Sequence, residues 1–230
     1  MDREQELSAG LETVRAQVAT ECRAAGRDPA EVTLVVVTKT YPADDLRLLA
    51  GLGVRDVGES RDQEASAKAG QLADLDLTFH FIGRLQSNKA RHVAQYARVV
   101  HSLDRSSLVS PLDRGAGEAG HRVQCFLQYS LDGDSSRGGA LAADVPALAD
   151  AVAAAEHLDL AGLMAVAPVT WDPERAFSEL LAASAHLQKQ HPEAACISGG
   201  MSGDFVQALR HGATHLRVGS AVLGQRPPLG

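Results

Sequence analysis

Cysteine is scarce in this chain. Its 230 residues contain three, Cys22, Cys125 and Cys196, an odd number without CxxC spacing, which argues against a disulfide framework or a zinc site. Cys125 and Cys196 fall inside strand-like runs, where small buried thiols are ordinary core residues. Positive charge is also short. Lys and Arg number 22 against 29 Asp and Glu, for a formal net charge of −7 and a pI near 5.7. Neither nucleic acid nor an anionic membrane surface is therefore expected as the main partner. No apolar run approaches the length of a membrane span, and the charged start Met1-Asp2-Arg3-Glu4-Gln5-Glu6 lacks the apolar stretch of a secretory signal. A water-soluble, cytoplasmic protein is expected. Several catalytic signatures are missing as well: no HExxH cluster among nine histidines, no Walker loop and no GxSxG turn.

What is present has the make-up of an α/β domain. Hydrophobic residues form 45% of the sequence and charged residues 22%, enough apolar material for one sizeable core. Short apolar runs at 33–38, 56–58, 77–82, 98–102, 122–129, 158–166, 194–198 and 215–218 read as strands. Helix-like segments lie between them at 42–52, 61–72, 87–96, 105–119, 141–157, 173–190 and 202–211, with Pro42 and Pro173 suited to first turns. Eight strands alternating with helices predict a (β/α)8 TIM barrel, with residues 1–230 as a single domain. A doubly wound open sheet would also alternate, but no GxGxxG fingerprint follows the first strand. An amphipathic helix over 4–25, with Leu7, Leu11, Val14 and Val18 on one face, precedes the barrel and is expected to cover its bottom or pack on its flank. Residues 131–139 form the longest irregular stretch, either a ligand loop or a solvated turn.

Two features stand out chemically. Lys39 ends the apolar run Leu34-Val35-Val36-Val37-Thr38. Burying a cation there is costly, and desolvation favours the neutral amine that condenses with an aldehyde. The plain alternative is a lysine that reaches solvent, paired with Glu59. The second feature is a pair of glycine- and hydroxyl-rich turns after the seventh and eighth strands, Ser198-Gly199-Gly200-Met201-Ser202 and Gly219-Ser220-Ala221. Barrels commonly bind phosphate at those two turns, where glycines allow close approach and amides point outward. The alternatives are that Ser202 is an N-cap and Gly219 a tight turn, and Asp204 would oppose a phosphate nearby. Together, lysine and turns describe a site for an aldehyde-bearing phosphorylated cofactor such as pyridoxal 5′-phosphate (PLP). Arg217 shares the face of Gly219 and needs an acceptor, either a pyridine nitrogen or a carboxylate. His80 is read as a hydrogen-bonded core histidine.

The stretches VVVTKTYP around Lys39, VGES at 57–60, HFIGRLQSNKAR at 80–91, HSLDR at 101–105, GLMAVAP at 162–168, SGGMSGDF at 198–205 and LRVGSAVLG at 216–224 resemble the PLP homeostasis family, PLP-binding barrels related to the N-terminal barrel of alanine racemase. The resemblance spans nearly the whole chain. It implies that Lys39 holds PLP as a Schiff base, that Ser198, Met201, Ser202, Gly219 and Ser220 surround the phosphate, that Arg217 faces the pyridine nitrogen, and that Met164 lies near the ring. Ser60 stands where many members have asparagine, Ser220 where threonine is common, and Arg137 where a lysine is frequent. The implied role is vitamin B6 homeostasis, buffering PLP or delivering it to PLP-dependent apo-enzymes, without robust catalysis. A racemase of this fold class needs a second base from a β-rich domain, and the chain ends at Gly230 after a short tail, 225–230. The rival reading is a single-domain PLP-dependent amino-acid racemase.

Overall fold

The computed structural model describes residues 2–224, so the tail at 225–230 lies outside the described residues. Eight parallel strands close into a barrel in chain order: β1 (Thr33–Val37), β2 (Asp56–Glu59), β3 (Thr78–Phe81), β4 (Val99–Leu103), β5 (Val123–Gln128), β6 (Leu158–Met164), β7 (Cys196–Ser198) and β8 (His215–Val218). Closure comes from β1 pairing with β8, Val35 opposite Arg217 and Val36 opposite Val218. The helices are α1 (Arg3–Ala24), α2 (Ala43–Gly51), α3 (Asp62–Gln71), α4 (Ser87–Tyr96), α5 (Val109–Glu118), α6 (Val145–Ala153), α7 (Pro173–Leu187), α8 (Phe205–Arg210) and α9 (Ser220–Leu223). The expected (β/α)8 barrel with an extra N-terminal helix is borne out.

Strand alternation divides the apolar residues into two sets. Outward side chains such as Val36, Val57, Phe79, Phe81, Val100 and Leu127 join the helices in one large core. A smaller inner cluster of Val99, Phe126 and Met164 occupies the barrel itself. The rest of the buried interior includes polar groups, His80, His101, Ser198 and Arg217 among them. Such a polar axis is unusual for a barrel core, which branched aliphatic residues ordinarily fill.

Asp2 and Gln5 form a capping box at the start of α1. Leu7, Leu11, Val14 and Val18 are buried as the spacing anticipates, and Cys22 extends the same face. The helix packs on the flank, against α2, α8 and α9. The approach to α9 is close: a Cβ at Gly10 would stand 2.5 Å from the Val222 carbonyl oxygen. Three helices start three or four residues later than the sequence pattern indicates. Pro111 has no N–H with which to continue a helix from residue 107, so a 3-10 turn at Ser106–Leu108 precedes α5. Pro146 sets the first turn of α6, with Asp144 as its N-cap. The Asp204 carboxylate accepts the Met201 N–H at 2.6 Å and shapes the loop before α8.

Candidate functional site at the C-terminal end of the barrel

Val35 and Val37 lie outside the outer core cluster, on the inward face of β1. Lys39 follows in the turn just beyond the C-terminal end of β1, at the mouth of the barrel. Glu59, the partner considered for it, is otherwise engaged: its Oε1 accepts from Lys68 Nζ at 2.7 Å and from the Thr38 hydroxyl at 2.7 Å. Burial raises the Glu59 carboxyl above its ordinary range, against the pull of Lys68.

Arg217 is directed into the barrel on β8 and is 5% exposed. Nη1 donates to Ser198 Oγ at 2.5 Å and Nη2 to the Ala165 carbonyl at 2.9 Å. Among the described residues no carboxylate forms an ion pair with it. Desolvation brings its pKa down to about 10, with Asp204 acting weakly the other way. The carboxylate alternative for Arg217 therefore has no support in the geometry.

The arginine starts a hydrogen-bonded line along the barrel axis. Ser198 Oγ lies 2.8 Å from His101 Nδ1, His101 Nε2 lies 2.9 Å from His80 Nδ1, and His80 Nε2 lies 2.9 Å from Asp56 Oδ1. With one proton on each ring its polarity is fixed from both ends, since an arginine only donates and a carboxylate only accepts. Asp56 accepts from His80 Nε2–H, so His80 Nδ1 accepts from His101 and His101 Nδ1 accepts the Ser198 proton, while Ser198 accepts from Arg217. His101 is then the Nε2–H tautomer and donates to His80, which donates in turn to Asp56. Burial and the neighbouring His80, Arg217 and His215 hold His101 well below the usual histidine range. Phe126 stacks on His101 at 4.7 Å between ring centroids and meets His215 edge-on at 4.9 Å. His80 is thus a core histidine, as read from the sequence. His101 and His215 were not singled out, although both stand at inward positions of their strands, and that parity was the available signal.

The seventh and eighth turns meet beside β1. Ser202 Oγ accepts the Gly219 and Ala221 N–H groups, each at 3.3 Å. Two amides at the start of α9 therefore converge on one oxygen from the neighbouring loop. Ser202 is not the cap of α8, whose N-cap is Asp204. Gly219 lies close to β1: a Cβ there would stand 3.3 Å from the Val37 carbonyl oxygen. Gly200 has φ 87°, and a Cβ on it would lie 2.8 Å from Phe205 Cα, so only glycine fits this turn. Met201 and Ser220 are exposed on the same rim.

The remaining site residues divide between mouth and interior. Ser60 continues the inward parity of Asp56 and Gly58 and is half-buried; Met164 is buried in the inner cluster. Ser198, expected near a phosphate, has its hydroxyl inside the barrel between Arg217 and His101. The 131–139 loop is tied down. Arg137 donates to Asp132 Oδ2 at 2.6 Å and to the carbonyls of Val166 and Ala167 at 2.9 and 3.1 Å, joining the loops after β5 and β6.

Known proteins were compared on this basis. Residues 11–227 match the alanine racemase N-terminal domain. A pyridoxal phosphate homeostasis protein of Mycobacterium leprae (strain TN) is 42% identical over 242 residues, covering 97% of this chain and 94% of that protein. Its counterpart in Pseudomonas aeruginosa is 39% identical, covering 96% of each. The structure of PipY from Synechococcus elongatus PCC7942 with PLP bound is 35% identical, with a TM-score of 0.83 over 95% of this chain and all of that one. Alanine racemase from Corynebacterium glutamicum, 17% identical with a TM-score of 0.65, shares the fold alone. The extent and identity of these matches place the chain in the alanine racemase N-terminal domain family, among the pyridoxal phosphate homeostasis proteins.

Proposed function

We propose that this protein binds PLP through Lys39 and serves vitamin B6 homeostasis, buffering the cofactor or handing it to apo-enzymes in the cytoplasm. The observation that carries the reading is Arg217, a buried cation inside the barrel whose hydrogen-bond partners among the described residues are neutral, on the strand that pairs with the one leading to Lys39. A pyridine nitrogen is an acceptor suited to that position. The cradle at Ser202, Gly219 and Ala221 suits a phosphate, since amides that converge on a neutral hydroxyl at 3.3 Å would bind an anionic oxygen more strongly. PLP supplies an aldehyde carbon, and attachment forms a carbon–nitrogen double bond at Lys39 Nζ while the aldehyde oxygen leaves as water with the two amine hydrogens.

The rest of the reading concerns what the residues around that group do. Arg217 keeps its proton at pH 7 and so leaves the facing ring nitrogen unprotonated. A neutral ring is a poor electron sink, which supports a carrier without robust turnover. Among the described residues no helix is long and apolar enough to cross a membrane.

Borohydride reduction of the PLP-loaded protein, followed by peptide mass mapping, tests the assignment. The added mass is expected on the peptide holding Lys39, and Lys39→Ala is expected to lose both that mass and the near-visible absorbance of the attached cofactor. A label on another lysine would sink the assignment. The same preparation, given a panel of L-amino acids, is expected to form D-isomers far more slowly than about 1 per second; faster turnover would restore the racemase reading.

A further inference from the structure

A buried ion cluster on α3 holds the turn that carries Lys39. In residues 38–41 the Tyr41 amide donates to the Thr38 carbonyl at 3.1 Å, which makes Lys39 and Thr40 the central pair. Thr40, third in the turn, has φ 73°. Turns that need this conformation ordinarily place glycine or asparagine there, and a β-branched residue is strained in it. The threonine hydroxyl gives nothing back, because Oγ1 is buried without a hydrogen-bond partner among the described residues.

The restraint comes from α3. The Thr40 N–H donates to Glu64 Oε1 at 2.6 Å. Lys68 Nζ donates to that same oxygen at 2.7 Å, to Glu59 Oε1 at 2.7 Å and to the Thr38 carbonyl at 2.9 Å. All three ammonium hydrogens are used. The backbone is therefore fastened on both sides of Lys39 to one ammonium, directly at the Thr38 carbonyl and through Glu64 at the Thr40 amide. Lys68 is 6% exposed and Glu59 1%. A cation and carboxylate buried this deeply are poor sources of net stability, since desolvation offsets their attraction. Holding the turn is a role that such a cluster performs and an apolar replacement does not.

The geometry points to Lys68 and Glu64 as positioning residues that impose the left-handed backbone at Thr40 and thereby aim the Lys39 amine into the barrel mouth. They act on the turn and not on the cofactor, and the inference rests on Lys39 being the attachment point.

Glu64 is the residue to change first, because its side chain is 24% exposed and its removal leaves Lys68 paired with Glu59. Full-length Glu64→Ala, and Glu64→Ala combined with Thr40→Gly, are titrated with PLP and trapped with borohydride, with circular dichroism recording the fold. Glu64→Ala is expected to weaken attachment at Lys39 about tenfold. The added Thr40→Gly is expected to restore it to within about threefold of wild type, because glycine adopts positive φ unaided. Rescue does not follow from a purely structural role, where the extra glycine would only loosen the chain further. Glu64→Gln keeps an acceptor for the Thr40 amide and is expected to attach PLP within about threefold of wild type, and it serves if the alanine variant unfolds. Attachment by folded Glu64→Ala equal to wild type, a double variant no better than the single one, or a glutamine variant as weak as alanine would each overturn the inference. Wild-type protein that traps no PLP at Lys39 would instead overturn the underlying assignment.

Discussion

At the scale of single residues, Ser198 has the most exacting position. Its side chain bonds both Arg217 and His101, accepting from the one and donating to the other. Ser198→Ala leaves Arg217 Nη1 and His101 Nδ1 without that partner in a buried place. Each lost partner costs about 1–3 kcal/mol, so urea unfolding of the apo-protein is expected to show a loss of about 2 kcal/mol or more. The other end of the line should be tolerant. Asp56 has a 31% exposed side chain, and Asp56→Asn still offers His80 an oxygen, so a change within about 1 kcal/mol is expected. If the two substitutions cost the same, the directional line from Arg217 to Asp56 is wrong. None of this was legible in the sequence. Ser198 stood out there as part of a glycine-rich turn, and nothing in that motif says whether its hydroxyl faces the loop or the barrel axis.

At the scale of elements, the pattern of short apolar runs located all eight strands, including β2, whose three-residue signal was the weakest. Helix starts were less legible, because prolines and a side-chain turn at Asp204 decide them locally while the hydrophobic period runs on regardless. The role of α1 was also hidden. Its apolar stripe announced a buried face without revealing what covers it, and the structure shows α9 against it. Since α9 begins at Ser220, α1 supports from outside the barrel one wall of the cradle in which Ser202 meets the Gly219 and Ala221 amides. Gly10 is the point of closest approach, where an added Cβ would meet the Val222 carbonyl oxygen at 2.5 Å. Gly10→Ala should stabilise an isolated helix by roughly 1 kcal/mol, yet here it must push α9 away. The expected outcome is unchanged helical circular dichroism with PLP affinity lowered about tenfold in an absorbance titration. Unchanged affinity would mean that α9 can shift without cost to the site.

At the scale of the whole molecule, barrel closure creates the site. Lys39 and Arg217 lie at opposite ends of the sequence, and the pairing of β1 with β8 sets Arg217 opposite Val35, four residues before the lysine. A barrel counted from the sequence makes those strands neighbours, which is why lysine and turns are legible together in the sequence. The polar axis could not be anticipated in the same way, since it depends on the stagger of β2, β3, β4 and β7 bringing their inward residues into line. That axis has a consequence for acid stability. Burial lowers the His215 pKa to about 4 and holds His101 well below its ordinary value. The unfolded chain protonates these histidines near 6.5 while the folded chain resists until lower pH, so unfolding takes up protons and stability falls as pH drops between those values. For His215 alone the shift corresponds to a loss of about 3 kcal/mol between pH 7 and pH 4. Glu59 works in the opposite sense, because burial raises its folded-state pKa and its protonation favours the native state as pH falls. Burial lowers His121 as well, so it is one group against three histidines and the net slope is expected to follow the histidines. Urea midpoints of the apo-protein should decline steadily from pH 7 to pH 4.5, and His215→Gln, which removes one titrating ring, should flatten that decline. Midpoints independent of pH in the wild type, or an equally steep fall in His215→Gln, would show that the buried rings are not what governs acid unfolding.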